Sequence, residues 1–240
     1  MEFKNKTVII TGASVGIGKA TAIEFARNGA NVCIVDVNAE GLDTLAEEIK
    51  SIGANVSSYI CDVSDEQRVH ETTQEIINQY GKIDILVNNA GLWRMWKPFV
   101  ETTSDEWKKR LSVNVLGLMY FTHEVLPNMI ENSYGRIINI GSVAGVYGNA
   151  NMADYSMTKG AVSSFTKALA KEVADKGITV NNVVPGSVRN EGANRETELC
   201  YMGRCGELEE YAYLICFLAS DKAAYISGQD YQIDGCRKKN

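Results

Sequence analysis

The stretch Thr11-Gly12-Ala13-Ser14-Val15-Gly16-Ile17-Gly18 is where residue types and spacing first point to chemistry. Glycines let main-chain N–H groups approach an anion closely, and a helix starting there adds the positive end of its dipole, so the segment reads as a phosphate cradle. A packing turn is the alternative reading of any isolated glycine-rich turn. Position favours the cradle, because the turn follows a first strand and opens a helix. Gly18-Lys19 looks like the end of a phosphate-transferring loop, but Ala13 and Ala20 stand where G-x-x-x-x-G-K-S/T needs a glycine and a hydroxyl. The mismatch argues against a nucleotide kinase or GTPase.

Asp36 closes the second apolar run, eighteen residues after Gly18. A carboxylate there can accept from both hydroxyls of an adenine ribose and repels a 2′-phosphate. No arginine or lysine accompanies it: Val15 sits in the turn and Val37 follows. The cofactor read from these residues is NAD, with NADP the alternative; a turn-capping aspartate is the plain structural reading.

The elements that must position these residues are legible as short β-branched runs alternating with longer helical segments. Thr7–Ile10, Asn31–Val35, Asn55–Ile60, Ile83–Val87, Gly135–Ile140 and Ile178–Val184 lack polar alternation, as strands buried on both faces do. The pattern predicts an α/β doubly wound fold with a parallel sheet of about seven strands between two helical layers. No linker or repeat interrupts it, so residues 1–240 read as one domain. The segment 187–206, with Asn190, Gly192 and Asn194 and no periodicity, reads as a mobile substrate lid.

Composition narrows the partners. The chain has 240 residues and a net charge of −6, with no basic run before Arg237-Lys238-Lys239, which reads as a solvated tail. Nucleic acid is not an expected partner. No window suits a membrane span and no leader pattern precedes the first strand, so a cytoplasmic enzyme is expected. The six cysteines include no C-x-x-C and no histidine at ligand spacing, predicting no metal site and mostly reduced core thiols. His70 and His123 fall outside every motif and read as structural.

From Lys6 to Cys236 the chain resembles the short-chain dehydrogenase/reductase family. The resemblance rests on G-x-x-x-G-x-G at Gly12, Gly16 and Gly18, Asp62-Val63, Asn88-Asn89-Ala90-Gly91, Asn114, Gly141-Ser142, Tyr155-Ser156-Met157-Thr158-Lys159 and Pro185-Gly186. Taken singly these are weak, since a tyrosine and a lysine at i and i+4 share a helix face in many proteins. In order and at strand ends they are specific. The resemblance implies that Gly12, Ser14, Gly16, Ile17, Gly18, Asp36, Asp62, Val63, Asn89, Pro185, Gly186 and Val188 hold the dinucleotide, together with Tyr155 and Lys159. It implies that Ser142, Tyr155 and Lys159 carry hydride-transfer chemistry, with Asn114 holding a water in a proton relay. A free tyrosine, with a pKa of about 10, is a poor base near neutrality, and a neighbouring ammonium favours its phenolate. One departure follows Pro185-Gly186: in place of the family's frequent threonine the chain reads Ser187-Val188-Arg189-Asn190, leaving Asn190 to offer an amide to the cofactor.

The function expected is NAD-dependent interconversion of a secondary alcohol and a ketone. Trp93, Trp96, Tyr147 and Met152, with Ser142, are the expected substrate contacts, and a bulky hydrophobic alcohol such as a hydroxysteroid is the expected substrate. Two alternatives stand beside it: a 3-oxoacyl-acyl-carrier-protein reductase, the relative whose pattern is nearest, and a catalytically silent dinucleotide-binding sensor. Against the first, Glu131 stands in the segment before Tyr134-Gly135-Arg136, and Glu172 and Asp175 surround Lys171, so the basic docking surface for an acidic carrier is missing. A short lid also suggests an open pocket. The family implies a homo-oligomer, expected as a tetramer through helices near Asp105–Met129 and Asp154–Asp175.

Overall fold

A computed structural model describes residues 2–93, 96–189 and 199–238. The elements run β1 (Thr7–Thr11), α1 (Gly16–Arg27), β2 (Asn31–Asp36), α2 (Ala39–Ser51), β3 (Val56–Ile60), α3 (Glu66–Tyr80) and β4 (Ile85–Asn88). They continue α4 (Ser104–Leu111), α5 (Leu118–Glu131), β5 (Gly135–Ile140), α6 (Val143–Tyr147), α7 (Ala153–Val173), β6 (Ile178–Pro185), α8 (Leu208–Ala219) and β7 (Asp230–Ile233). All strands pair in parallel in one seven-stranded sheet ordered β3-β2-β1-β4-β5-β6-β7, the doubly wound arrangement expected. The order reverses between β1 and β4, and ligands of such sheets bind at the carboxyl ends of strands beside that point.

The sheet is held by apolar side chains pointing alternately to two layers. Val8, Ile10, Val32 and Ile34 pack under α1, α2 and α8, with Phe25, Leu45 and Ile215. Ile9, Cys33, Val35 and Leu86 face the other way, onto Val69, Phe121, Val125 and Leu169 of α3, α5 and α7. Every residue of β1, β4, β5 and β6 is buried, including the polar Asn88, Arg136, Asn139, Asn181 and Asn182 among the apolar ones, as strands covered on both faces require.

Three details differ from the sequence pattern. β7 is short and only half-buried, so no apolar run announces it. The long helix expected near Asp105–Met129 is divided by a π-helical stretch, Ser112–Gly117, that carries the buried Asn114. The C-terminal tail is not simply solvated: Cys200 pairs with Arg237 in an antiparallel bridge, and Lys238 N–H donates to the Leu199 carbonyl at 2.8 Å. The middle of the expected lid, including Asn190, lies outside the described residues. Its flanks are tied by the Val188–Gly206 bridge. All six cysteines are free thiols, and five are buried. Among the described residues no helix is long and apolar enough to cross a membrane.

Close packing of the glycine-rich turn generates a stability prediction. A Cβ on Gly18 would collide with the Gly12 carbonyl oxygen and lie 2.6 Å from Asn89 Nδ2. Helix propensity alone makes Gly→Ala favourable by about 1 kcal/mol, whereas overpacking against fixed backbone costs about 1–3 kcal/mol. Gly18→Ala is expected to lower the midpoint of urea unfolding; an unchanged or raised midpoint would show that the turn relaxes freely.

Candidate active site

The glycine-rich turn joins β1 to α1 with Gly12 at φ +63° and Gly16 at φ +59°, a region disfavoured for residues with a Cβ. A Cβ on Gly16 would meet nothing within 4 Å, so the turn leaves open space above the helix. No side chain caps α1 and no acidic residue stands in its first turn, whereas Asn38, Asp65 and Thr103 cap α2, α3 and α4. The N–H groups at the start of α1 thus remain available to an anion. At the end of β2, Asp36 accepts from Ser14 N–H at 3.0 Å and from Ser14 Oγ at 2.8 Å. These bonds hold the carboxylate against the turn.

A cleft of about 1020 Å³ runs from this turn across the carboxyl ends of the strands. Its walls include Gly12, Ser14, Gly16, Ile17, Asp36, Asp62, Val63 and Asn89 at one end and Pro185, Gly186 and Val188 further along. Gly18 is not in the wall, because it packs beneath Gly12. Asn89 has a structural duty as well: its Nδ2 donates to the carbonyls of Thr11 and Gly12 at 2.9 Å, locking β4 to the turn. Open space, an uncapped helix start and a carboxylate at the sheet's second strand suit a dinucleotide.

Ser142, Tyr155 and Lys159 meet in the same cleft. Ser142 follows β5 and caps α6, its Oγ accepting from Ala144 N–H at 3.2 Å. Tyr155 and Lys159 lie one turn apart on α7, the lysine Nζ 6.0 Å from the tyrosine ring centre. Burial pushes the Tyr155 phenol up from its ordinary value; a hydrogen bond with Ser142 and the nearby Arg110 charge pull it back. Arg110 is itself ion-paired with Asp154, whose Oδ1 accepts from Tyr155 N–H at 2.9 Å. Lys159 is buried and donates to the Ile140 carbonyl at 2.7 Å, and burial pushes its ammonium down to about 8.

Asn114 is 1% exposed, and its side chain is used at both ends. Oδ1 accepts from Leu92 N–H at 2.6 Å, while Nδ2 donates to Leu92 O at 3.2 Å and to Thr158 Oγ1 at 3.1 Å. It therefore staples the segment after β4 to α7. A Cβ built on Gly91 would lie 3.5 Å from Lys159 Nζ and 3.6 Å from Asn114 Oδ1, so the two polar groups converge beside that glycine.

Of the expected substrate contacts, Trp93, Trp96 and Met152 line the cleft. The structure does not bring Tyr147 there: its hydroxyl bonds Gln232 Oε1 of β7 at 2.6 Å, because Gly148 at φ +72° ends α6 and turns the chain away. Lys109, Val113, Asn149 and Arg237 were not anticipated in the wall. No motif marks them; Arg237 arrives only because the tail doubles back onto Cys200. His70 and His123 sit on α3 and α5 outside the cleft, His70 bonded to Glu124 at 2.8 Å.

Comparison with known proteins agrees with this geometry. The family model for short chain dehydrogenase matches residues 6–199. The 3-oxoacyl-(acyl-carrier-protein) reductase FabG of Thermotoga maritima is 39% identical, over 98% of each chain. Cyclohexanol dehydrogenase of Acinetobacter sp. is 32% identical, over 98% of this chain and 95% of that one. The crystal structure of NAD+-bound xylitol dehydrogenase is similar at a TM-score of 0.94 and 31% identity, covering 98% of this chain and all of that chain.

Burying the lysine costs stability in a way pH can reveal. The unfolded chain keeps the Lys159 proton to about 10.5, the folded chain only to about 8. Between those values the unfolded state binds more protons, so stability rises with pH there, and below about 8 the whole cost, about 3 kcal/mol, is present. Lys159→Met is expected to be at least as resistant to urea as the parent at pH 7, with the advantage shrinking toward pH 10. A less stable variant with no pH trend would mean that the bond to Ile140 outweighs the buried charge.

Proposed function

Because the chain belongs to the short-chain dehydrogenase family, we propose that it interconverts a secondary alcohol and a ketone using NAD(H). The observation that carries this reading is the meeting of Ser142, Tyr155 and Lys159 in one cleft with the uncapped glycine-rich turn and Asp36. A nicotinamide dinucleotide, when bound, accepts or supplies the hydride. In the oxidative direction Tyr155, as phenolate, takes the proton from the substrate hydroxyl; in reduction the phenol returns it to the carbonyl oxygen. Ser142 hydrogen-bonds that same oxygen and keeps it beside Tyr155. Lys159 as ammonium favours the phenolate by its charge. Asn114 keeps the role of holding a water near Lys159, which its convergence on Gly91 supports.

NAD is favoured over NADP because Asp36 lines the cleft beside exposed Val15 and Val37, with no neighbouring cation in the sequence of the turn or after β2. For the substrate, Trp93 and Trp96, each more than half exposed in the cleft wall, favour a bulky hydrophobic alcohol such as a hydroxysteroid. A second reading, reduction of a 3-oxoacyl group on a carrier protein, is favoured by the identity to the Thermotoga maritima reductase. A silent sensor is disfavoured by the retention of both Tyr155 and Lys159. The family expectation of a homotetramer is kept, with Leu116, Met119 and Met157 exposed on the helices concerned.

The deciding experiment follows nicotinamide absorbance with NAD and NADP over a panel of secondary alcohols and ketones, including one 3-oxoacyl group on carrier protein and on a small thiol. NAD-dependent turnover without a large carrier advantage supports the proposal; a strong carrier advantage in kcat/KM would install the second reading. Tyr155→Phe is expected to lose turnover by several orders of magnitude while keeping NAD affinity, measured by quenching of tryptophan emission. Near-normal kcat in that variant would falsify the assigned base. Asp36→Ala is expected to weaken NAD and relatively improve NADP in kcat/KM, and a parent enzyme already preferring NADP would contradict the cofactor assignment.

A further inference from the structure

Charge is segregated along the cleft in a way that the hydride chemistry does not require. Its described carboxylates, Asp36 and Asp62, both lie at the end served by β2 and β3. Its cations, Lys109, Lys159 and Arg237, lie where the chain leaves β4, β5 and β7. Lys159 is buried and committed to Ile140. The other two make no ion pair among the described residues. Other cations of this region are each tied to a carboxylate: Lys97 to Glu106, Arg110 to Asp154, Arg189 to Glu207 and Arg204 to Glu210. Among the described residues, Lys109 and Arg237 have no carboxylate partner. In a chain of net charge −6, two cations without a described carboxylate partner in the wall of a cleft are a local reversal of sign.

Their placement relative to the reacting groups follows from strand order. Ser142 follows β5, the neighbour of β4 on one side and of β6 and then β7 on the other. Lys109 belongs to α4, after β4, next to the Arg110 that pairs with the residue preceding Tyr155. Arg237 follows β7 and is fixed by the Cys200 bridge. Both cations line the cleft that holds Ser142 and Tyr155, and Trp93 and Trp96 line it as well.

We propose that the substrate is amphipathic, an apolar body bearing the alcohol or ketone and ending in an anion of the carboxylate or phosphate class that Lys109 and Arg237 bind. The tryptophans take the apolar body, and the cations hold the charged end at the mouth of the cleft. A half-buried arginine gives charge-assisted hydrogen bonds that a fully solvated one does not. The inference rests on the reading that Ser142 and Tyr155 mark the position of the substrate oxygen.

The test compares matched substrates that differ only in the charged end. A ketosteroid acid is assayed against its methyl ester, and a 3-oxoacyl pantetheine against its 4′-phosphate, so that a carboxylate on the substrate is distinguished from a phosphate on a carrier arm. The parent enzyme is expected to favour one anion over its neutral partner by on the order of tenfold in kcat/KM, mostly through KM. In Lys109→Gln and Arg237→Gln that ratio is expected to fall toward one. Lys108→Gln, which removes the same charge from an exposed residue outside the cleft wall, is expected to leave the ratio unchanged. A binding titration of the NADH-loaded enzyme with a ring-deoxy steroid acid and its ester, followed by tryptophan emission, reads the same preference without turnover.

A preference near one for both the acid–ester pair and the phosphate–pantetheine pair, or an equal loss in Lys108→Gln, would overturn the inference and leave the dehydrogenase reading intact. Complete inactivity toward every alcohol and ketone would remove that reading, and the inference with it.

Discussion

An ammonium group buried at the carboxyl edge of a parallel sheet is the constraint on which the site depends. Lys159 is 5% exposed and its described hydrogen bond goes to the Ile140 carbonyl. A charge so placed is expensive to desolvate, and no carboxylate contributes to its shift. The surroundings must therefore be exact. A Cβ on Gly145 would come within 2.5 Å of the Lys159 carbonyl carbon, so α6 can lie against α7 only with glycine there. That contact sets the end of β5, the serine that follows it and the lysine in a single packing arrangement.

The same arrangement decides which polar groups the interior tolerates. Asn88 Nδ2 donates to Thr122 Oγ1 at 3.0 Å and to Asn139 Oδ1 at 2.9 Å, and Asn139 passes a bond to Thr166 on α7 at 2.9 Å. This chain of bonds crosses from α5 through β4 and β5 to the helix carrying Tyr155 and Lys159. Apolar replacements could fill the volume, but would not fix the rotation of α7 about its axis. With Asn114 bonding Thr158, α7 is fixed from the sheet and from the segment after β4, while the apolar layers supply most of the burial.

What was legible in the sequence is what local physics governs. β1, β2, β5 and β6 announce themselves because strands buried on both faces are rich in β-branched residues without polar alternation, and the turn at Gly12 because positive φ favours glycine. Ser142, Tyr155 and Lys159 were legible only as an ordered set, since none alone has a distinctive pattern. What escaped was non-local. β7 is recruited by pairing with β6 rather than by its own apolar content, Tyr147 is diverted by a glycine that ends a five-residue helix, and Arg237 reaches the cleft through a bridge to a residue thirty-seven positions earlier. The π-helical stretch around Asn114 has no marker, because it exists to let one side chain reach both Leu92 and Thr158.

The balance of charge around Tyr155 brings these strands of argument together. Burial makes a phenol a weaker acid, and in this chain the opposing influences are a hydroxyl, Ser142, and a cation, Arg110. Arg110 is neutralised as a pair by Asp154, so its effect on the phenol is the difference between a nearer and a farther charge rather than a full unit. The carboxylate is also occupied in bonding the Tyr155 N–H, which fixes the start of α7 where the phenol must stand. The pair therefore acts more on position than on acidity. In the proposed chemistry the acidity falls to Lys159, whose ammonium lies 6.0 Å from the phenol ring centre and whose own proton is loosened by burial. Stabilising the phenolate also holds the lysine proton, since an anion and an ammonium at that range support each other.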